Sequence, residues 1–206
     1  MRALIICAAP ETELEYLKKA AKEADKIICA DGGIRYALKC GIRPDLIVGD
    51  FDSFKGELPD APTVKLNCHK DDTDTVSCIK QAIKLGCDTI TIACAVGGRI
   101  DHTIANISAL SLITDGGAGG KIITPREQIK LLTEGSYIFE NLQGRTFSVF
   151  PFGESCTVSY KNAEYPLDRY EMNVSYPIGI SNVFTKDLAE ITIHSGRAIL
   201  IINEVL

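Results

Sequence analysis

The chain of 206 residues has no apolar run approaching the ~18 residues a membrane-spanning helix requires, which excludes a helical bilayer span. It has no cationic excess either. Lys and Arg number 22 against 27 Asp and Glu, a formal net charge of −5, so a general nucleic-acid binder is excluded, because phosphates would find no surplus of positive charge. Its eight cysteines, at 7, 29, 40, 68, 78, 87, 94 and 156, include no Cys-x-x-Cys pair. Several sit inside apolar runs as small core residues, so zinc is not expected and a reducing cytoplasm is. No Gly-x-Gly-x-x-Gly follows the first apolar run, which argues against dinucleotide oxidoreduction. Repeats and low-complexity segments are missing as well. A hydrophobic share of 46% and a charged share of 24% exclude disorder, collagen and coiled coil.

What is present divides near Pro125. Residues 1–125 hold seven of the cysteines and four aromatics; residues 126–206 hold ten aromatics, from Tyr137 to Phe184. Two domains are expected, at 1–125 and 126–206. In the first, short apolar runs alternate with helical patterns. Ala3–Ala8 reads as a buried strand rather than a secretion signal. Leu14, Leu17, Ala21 and Ala24 then mark a helix, Lys26–Ala30 a second strand, and a short helix runs from Gly33 to Gly41. Leu46–Val48 and Thr63–Leu66 are further strands, and Val76, Ile79 and Ile83 form the buried stripe of the next helix. Thr89–Val96 is a strand, the helix after it faces the core through Ile104, Ile107 and Leu110, the glycine-rich stretch 116–120 is a loop, and Lys121–Thr124 is a last strand. Such alternation predicts an α/β domain with an open, mostly parallel sheet. The second half keeps no helical period. Thr146–Phe152, Cys156–Tyr160, Met172–Ser175, the alternating Ile191 and Ile193, and Ala198–Ile202 read as strands of a small all-β sandwich or barrel.

The informative feature is where aspartates fall. Asp31 follows the second strand in Ala30-Asp31-Gly32-Gly33, Asp50 and Asp52 follow the third in Gly49-Asp50-Phe51-Asp52-Ser53, Asp71, Asp72 and Asp74 follow the fourth, and Asp101 follows the fifth in Gly97-Gly98-Arg99-Ile100-Asp101. In a parallel sheet these positions share the carboxyl edge, where open α/β folds bind ligands. Crowding carboxylates is costly: two unit charges at ~4 Å repel by about 4 kcal/mol at an effective dielectric near 20. A hard divalent cation with oxygen ligands answers that cost, and magnesium, held by one or two carboxylates plus substrate phosphates, fits best. Gly32-Gly33 and Gly97-Gly98 let main chain approach an anion ahead of a helix, and the Arg99 guanidinium suits phosphate oxygens. Taken singly, Asp72, Asp74 or Asp101 also reads as a helix cap, and Asp60 and Asp115 as plain loop residues. His102 is either a base or a first-turn packing residue; His69 and His194 read as surface residues.

Four motifs in this order, Asp31-Gly32-Gly33, Gly49-Asp50-Phe51-Asp52-Ser53 after Pro44-Asp45, Lys70-Asp71-Asp72-Thr73-Asp74, and Gly97-Gly98-Arg99-Ile100-Asp101-His102 with Asn106, resemble the bacterial thiamine pyrophosphokinase family. Gly179-Ile180-Ser181-Asn182 looks like that family's thiamine-binding loop. The resemblance implies transfer of a diphosphate from ATP to the hydroxyethyl oxygen of thiamine, giving thiamine diphosphate and AMP with Mg²⁺. It implies Asp50, Asp52 and Asp71 around the metal and phosphates, and Arg99 with Asp101 near the phosphates. It implies Asp31, Gly32, Gly33, Ser53, Lys70, Asp74, Gly97, Gly98, Arg99 and His102 along the nucleotide, and Ser181 with Asn182 on the thiamine pyrimidine. A cytoplasmic homodimer with its active site between subunits is implied too. Some relatives clamp thiamine with tryptophan, which this chain lacks; a stacking role falls to Phe184, Tyr176 or another aromatic. The general base stays open between Asp71 and Asp101. Competing readings are a diphosphokinase for another hydroxyalkyl heterocycle such as a pterin, an aspartyl-phosphate phosphatase using Asp50-Phe51-Asp52, and a non-catalytic nucleotide or thiamine sensor.

Overall fold

The computed structural model describes residues 1–50, 59–66 and 72–203. The chain divides into two units, Met1–Pro125 and Arg126–Leu206. The first is an α/β unit whose strands are β1 (Arg2–Ile6), β2 (Lys26–Ala30), β3 (Leu46–Gly49), β4 (Thr63–Lys65), β5 (Thr89–Ala93) and β6 (Gly119–Ile123). Between them run α1 (Glu15–Glu23), α2 (Ile34–Lys39), α3 (Asp74–Lys84), α4 (Ile100–Ser108) and α5 (Leu110–Asp115). All six strands are parallel, in the order β6-β5-β1-β2-β3-β4. Consecutive residues Ala3 to Ile6 are all buried. Side chains alternate faces along a strand, so a run with no exposed member means the sheet is covered on both sides, as its unbroken apolar sequence dictates.

Two expectations for this unit need correcting. Ile104, read as facing the core, is 60% exposed, whereas Leu110 is fully buried. The helix breaks at Ala109 between α4 and α5, so one 3.6-residue period does not carry from Ile104 to Leu110. The stretch 116–120, read as a loop, contributes Gly119 and Gly120 to β6, opposite Thr89 and Ile90. A Cβ at Gly120 would meet the Ile113 side chain at 3.0–3.2 Å, so α5 lies on the sheet where that strand has no side chain, and strand propensity gives no signal of it.

The second unit is all-β and antiparallel, built from β7 (Glu127–Leu132), β8 (Gly135–Glu140), β9 (Thr146–Pro151), β10 (Ser155–Lys161), β11 (Leu167–Asn173), β12 (Asn182–Val183), β13 (Leu188–Ser195) and β14 (Ala198–Asn203). Strands β12-β9-β14-β7 pair in one layer and β11-β10-β13-β8 in the other. Phe147, Val149, Leu200 and Ile202 from the first layer meet Val158, Tyr160, Ile191 and Ile193 from the second in one core, the two inner faces of a sandwich. The strand read at Met172–Ser175 lies earlier, at Leu167–Asn173, because only Met172 within it is buried and its polar outward residues conceal it. Phe184, considered for ligand stacking, is a core residue instead: it is 1% exposed, with ring centroids 4.4 Å from Phe147 and 5.6 Å from Phe139.

Candidate active site

In the α/β unit the chain leaves β1 toward β2, β3 and β4, then returns to the opposite side of β1 for β5. Loops that leave in opposite directions part at such a reversal and open a crevice beyond the strand ends. A cleft of about 820 Å³ lies there, lined by Cys7–Pro10 after β1, Asp31 after β2, Asp50 after β3, Thr73–Thr75 at the start of α3, Gly97–Arg99 after β5, and Asp101, His102 and Asn106 of α4. The structure thus brings together Asp31, Asp50, Asp74, Gly97, Gly98, Arg99, Asp101 and His102. Gly32 and Gly33 are buried beside them in the turn that follows Asp31. Asp52, Ser53, Lys70 and Asp71 lie outside the described residues. Residue chemistry offers no reason to single out Ala8, Ala9 and Pro10, whose side chains bear no functional group. Their one signal is position, directly after the first strand.

Local packing fixes these side chains. Asp31 takes φ +41°, a left-handed conformation that aspartate tolerates. It lies so close over the end of β3 that a Cβ at Gly49 would stand 2.9 Å from its Cα. Asp74 opens α3 but does not cap it; the Thr73 hydroxyl does, accepting from Val76 N at 3.2 Å. Asp72 instead accepts from Lys80 Nζ at 2.6 Å. Arg99 donates to Asp101 twice, Nε to Oδ1 at 3.1 Å and Nη2 to Oδ2 at 2.6 Å, and Asp101 also accepts from His102 N at 2.9 Å. These bonds, the Arg99 pair first, hold the Asp101 carboxyl below the ordinary aspartate range. The loop from Cys94 to Arg99 is tied underneath: Cys94, at φ +52°, donates its N–H to the Tyr16 hydroxyl at 3.3 Å, and the buried Asn106 amide donates to Ala95 O at 2.8 Å.

The cleft is acidic, with Asp31, Asp50, Asp74 and Asp101 against Arg99. An anionic ligand enters such a space only with a cation. The charged donors present are hard carboxylate oxygens, while burial pushes the Cys7 thiol up to about 12. This donor set fits magnesium in kind. Among the described residues no group of three His, Cys, Asp or Glu side chains converges on a metal position.

In the all-β unit, Ser181 is exposed at φ +58°, and its N–H donates to Ser148 Oγ at 3.0 Å. Asn182, 6% exposed, is engaged with main chain at both ends of its amide. Nδ2 donates to Tyr165 O at 2.8 Å, and Oδ1 accepts from Tyr165 N at 3.1 Å and Val183 N at 2.8 Å. Tyr176 is 67% exposed.

Residues 17–117 match the family model described as thiamin pyrophosphokinase, catalytic domain, and residues 134–200 match thiamin pyrophosphokinase, vitamin B1 binding domain. The chain belongs to the thiamine pyrophosphokinase family. Among curated members of that family, the thiamine pyrophosphokinase of Bacillus subtilis is 25% identical over 205 residues, 96% of either chain. Thiamine pyrophosphokinase 3 of rice is 24% identical over 84% of this chain and 76% of its own. The thiamine pyrophosphokinase fold is shared with the crystal structure from Bacillus subtilis, at TM-score 0.91 and 24% identity over the whole of both chains. It is shared also with that of Candida albicans, at TM-score 0.83 and 19% identity over 99% of this chain and 89% of that one. The loop Cys7–Pro10 precedes the residues matched by the catalytic-domain model.

Proposed function

We propose that the chain transfers the terminal diphosphate of ATP to the hydroxyethyl oxygen of thiamine, releasing thiamine diphosphate and AMP, as a Mg²⁺-dependent cytoplasmic homodimer with its active site between subunits. The observation that carries this reading is the acidic cleft at the strand-order reversal, whose four carboxylates and one guanidinium suit a polyphosphate accompanied by a cation, in a chain whose two halves match the catalytic and vitamin-binding models. No helix among the described residues is long and apolar enough to cross a membrane.

In this reading Asp50, with Asp52 and Asp71, holds the metal, which when bound supplies charge neutralisation to the phosphate oxygens. Asp31, Gly32 and Gly33 take the nucleotide side; Ser53, Lys70, Asp74, Gly97, Gly98 and His102 line its phosphates. Arg99 faces the transferring group, and the two bonds it donates to Asp101 hold its fork in one orientation before substrate arrives, so less side-chain entropy is lost on binding. The thiamine hydroxyl oxygen bonds to the β-phosphorus, the bridge to the α-phosphate breaks, and the hydroxyl proton passes to a base. Asp101 is poorly suited to that task, because its pairing with Arg99 depresses its basicity. Asp71, as a ligand of the cation, would be depressed in the same way, so the base is one of these two carboxylates. Such transfers need positioning and electrostatics more than covalent help. Ser181 presents its exposed hydroxyl to the pyrimidine ring, while Asn182 shapes the loop that carries it.

The deciding experiment incubates the purified protein with thiamine, ATP and Mg²⁺ and separates the nucleotides. AMP with thiamine diphosphate supports the reading. ADP, AMP formed only with a hydroxymethylpterin, or binding without turnover overturns it in favour of another kinase, a pterin diphosphokinase or a sensor.

A further inference from the structure

We propose that the Tyr36 hydroxyl is a positioning residue for the nucleotide, acting through Pro10. The Tyr36 ring, on α2, is 8% exposed, and its hydroxyl reaches out of the core to the loop after β1. There it donates to Ala9 O at 2.9 Å and accepts from Glu11 N at 3.1 Å. These two groups bracket Pro10, which has no N–H of its own with which to be held. Ala9 is tied from the other side too, its N–H donating to Cys94 O at 2.9 Å. The clipped segment touches both glycine pairs of the cleft. A Cβ at Gly98 would stand 2.8 Å from Pro10 Cδ, and one at Gly32 would stand 3.3 Å from Ala8 Cβ. Gly98, at φ +68°, takes a conformation in which its main chain can sit against the proline ring. A shift of the loop by a few tenths of an ångström therefore moves against both walls at once, and one hydroxyl sets where it stands.

The proposal rests on the ATP reading above, and its test separates the two. Wild type, Tyr36→Phe, Pro10→Gly and the double variant, all full-length, are assayed with ATP·Mg²⁺ and thiamine, and amide exchange at Glu11 is followed without substrate. Tyr36→Phe keeps the ring and deletes the clip. The expected result is a KM for ATP raised about tenfold, within the worth of the two lost hydrogen bonds, with the KM for thiamine within about twofold of wild type. Glu11 amide protection falls in Tyr36→Phe and survives in Pro10→Gly. Pro10→Gly gives a similar selective rise, and the double variant is no worse than Pro10→Gly alone, since both act through one contact. If Tyr36→Phe fails to fold, Pro10→Gly decides by its KM split. A lowered melting temperature with unchanged KM for ATP, equal rises for both substrates, or additive effects would overturn the clip. A wild-type protein that makes no AMP sinks the ATP reading instead, and undiminished Glu11 protection in Tyr36→Phe still refutes the clip on its own.

Discussion

Replacing Gly33 by alanine sets backbone preference against packing, and the two differ in sign. Gly33 has φ −59° and ψ −23°, dihedrals any residue adopts. Judged on those angles alone, alanine stabilises by about 0.4–1 kcal/mol by restricting the unfolded chain. The added Cβ, however, would stand 2.0 Å from the Ile6 carbonyl oxygen, 2.8 Å from its carbon and 2.9 Å from Cys7 O. Real Cβ atoms essentially never approach closer than 3.0 Å. The turn after β2 and the end of β1 must then part by about 1 Å in a close-packed interior, and both partners are main chain, which cannot rotate away. Overpacking of this kind costs about 1–3 kcal/mol, and the absence of a flexible partner puts Gly33→Ala near the upper end. Urea unfolding followed by far-ultraviolet circular dichroism checks it: at a slope of ~2 kcal/mol per molar, the midpoint falls by about 1.5 M. Gly117→Ala is the control, with φ +78° and nothing within 4 Å, so only left-handed strain of about 1 kcal/mol applies. A Gly33→Ala protein as stable as wild type, or more stable than Gly117→Ala, would refute the packing argument.

Asp52→Asn lowers turnover at least ~100-fold with an unchanged circular dichroism spectrum, if metal-held carboxylates carry the reaction; wild-type-like AMP production would contradict that. Phe184→Ala destabilises by about 3–5 kcal/mol in chemical denaturation, because it empties an aromatic stack at the centre of the sandwich. Asp101 titrates below the ordinary aspartate range because Arg99 hydrogen-bonds its charged form. A depressed carboxyl keeps its pairing above the unfolded pKa and loses it as pH falls through the folded one, so carboxyl NMR should find Asp101 still ionised when unpaired aspartates have half-protonated. An Asp101 midpoint at or above theirs would contradict the pairing.

The fold was legible where the sequence repeats one physical pattern. Buried parallel strands such as Ala3 to Ile6 and Lys26–Ala30 are near-continuous apolar runs, and Ile191 and Ile193 alternate as a half-covered strand requires. It was illegible where burial comes from a neighbour rather than from the strand itself. Gly119 and Gly120 offer no side chain to read, and β11 has only Met172 fully buried. In the cleft, Asp31, Asp50, Asp74, Arg99 and Asp101 announce themselves by charge after a strand. Ala8, Ala9 and Pro10 contribute main chain and shape, which residue chemistry does not spell out, and Thr73 is seen as the cap only once the start of α3 is fixed. Asn182 stands out in the sequence only through the resemblance that puts it on the thiamine pyrimidine, while its amide completes the main-chain bonding of Tyr165.

The seating of β1 between β2 and β5 has a consequence for how the protein is made. Ala3 pairs with Lys26 on one side and with Ile90 on the other. A ribosome extending the chain at roughly 5–20 residues per second therefore delivers the first neighbour seconds before the second. Closing the longer loop costs about 1 kcal/mol more in chain entropy than closing the shorter. Until β5 emerges, an uncapped ribbon of isoleucine and leucine lies open to any other strand in reach, so nascent chains stalled before residue 89 should be the ones that chaperones capture.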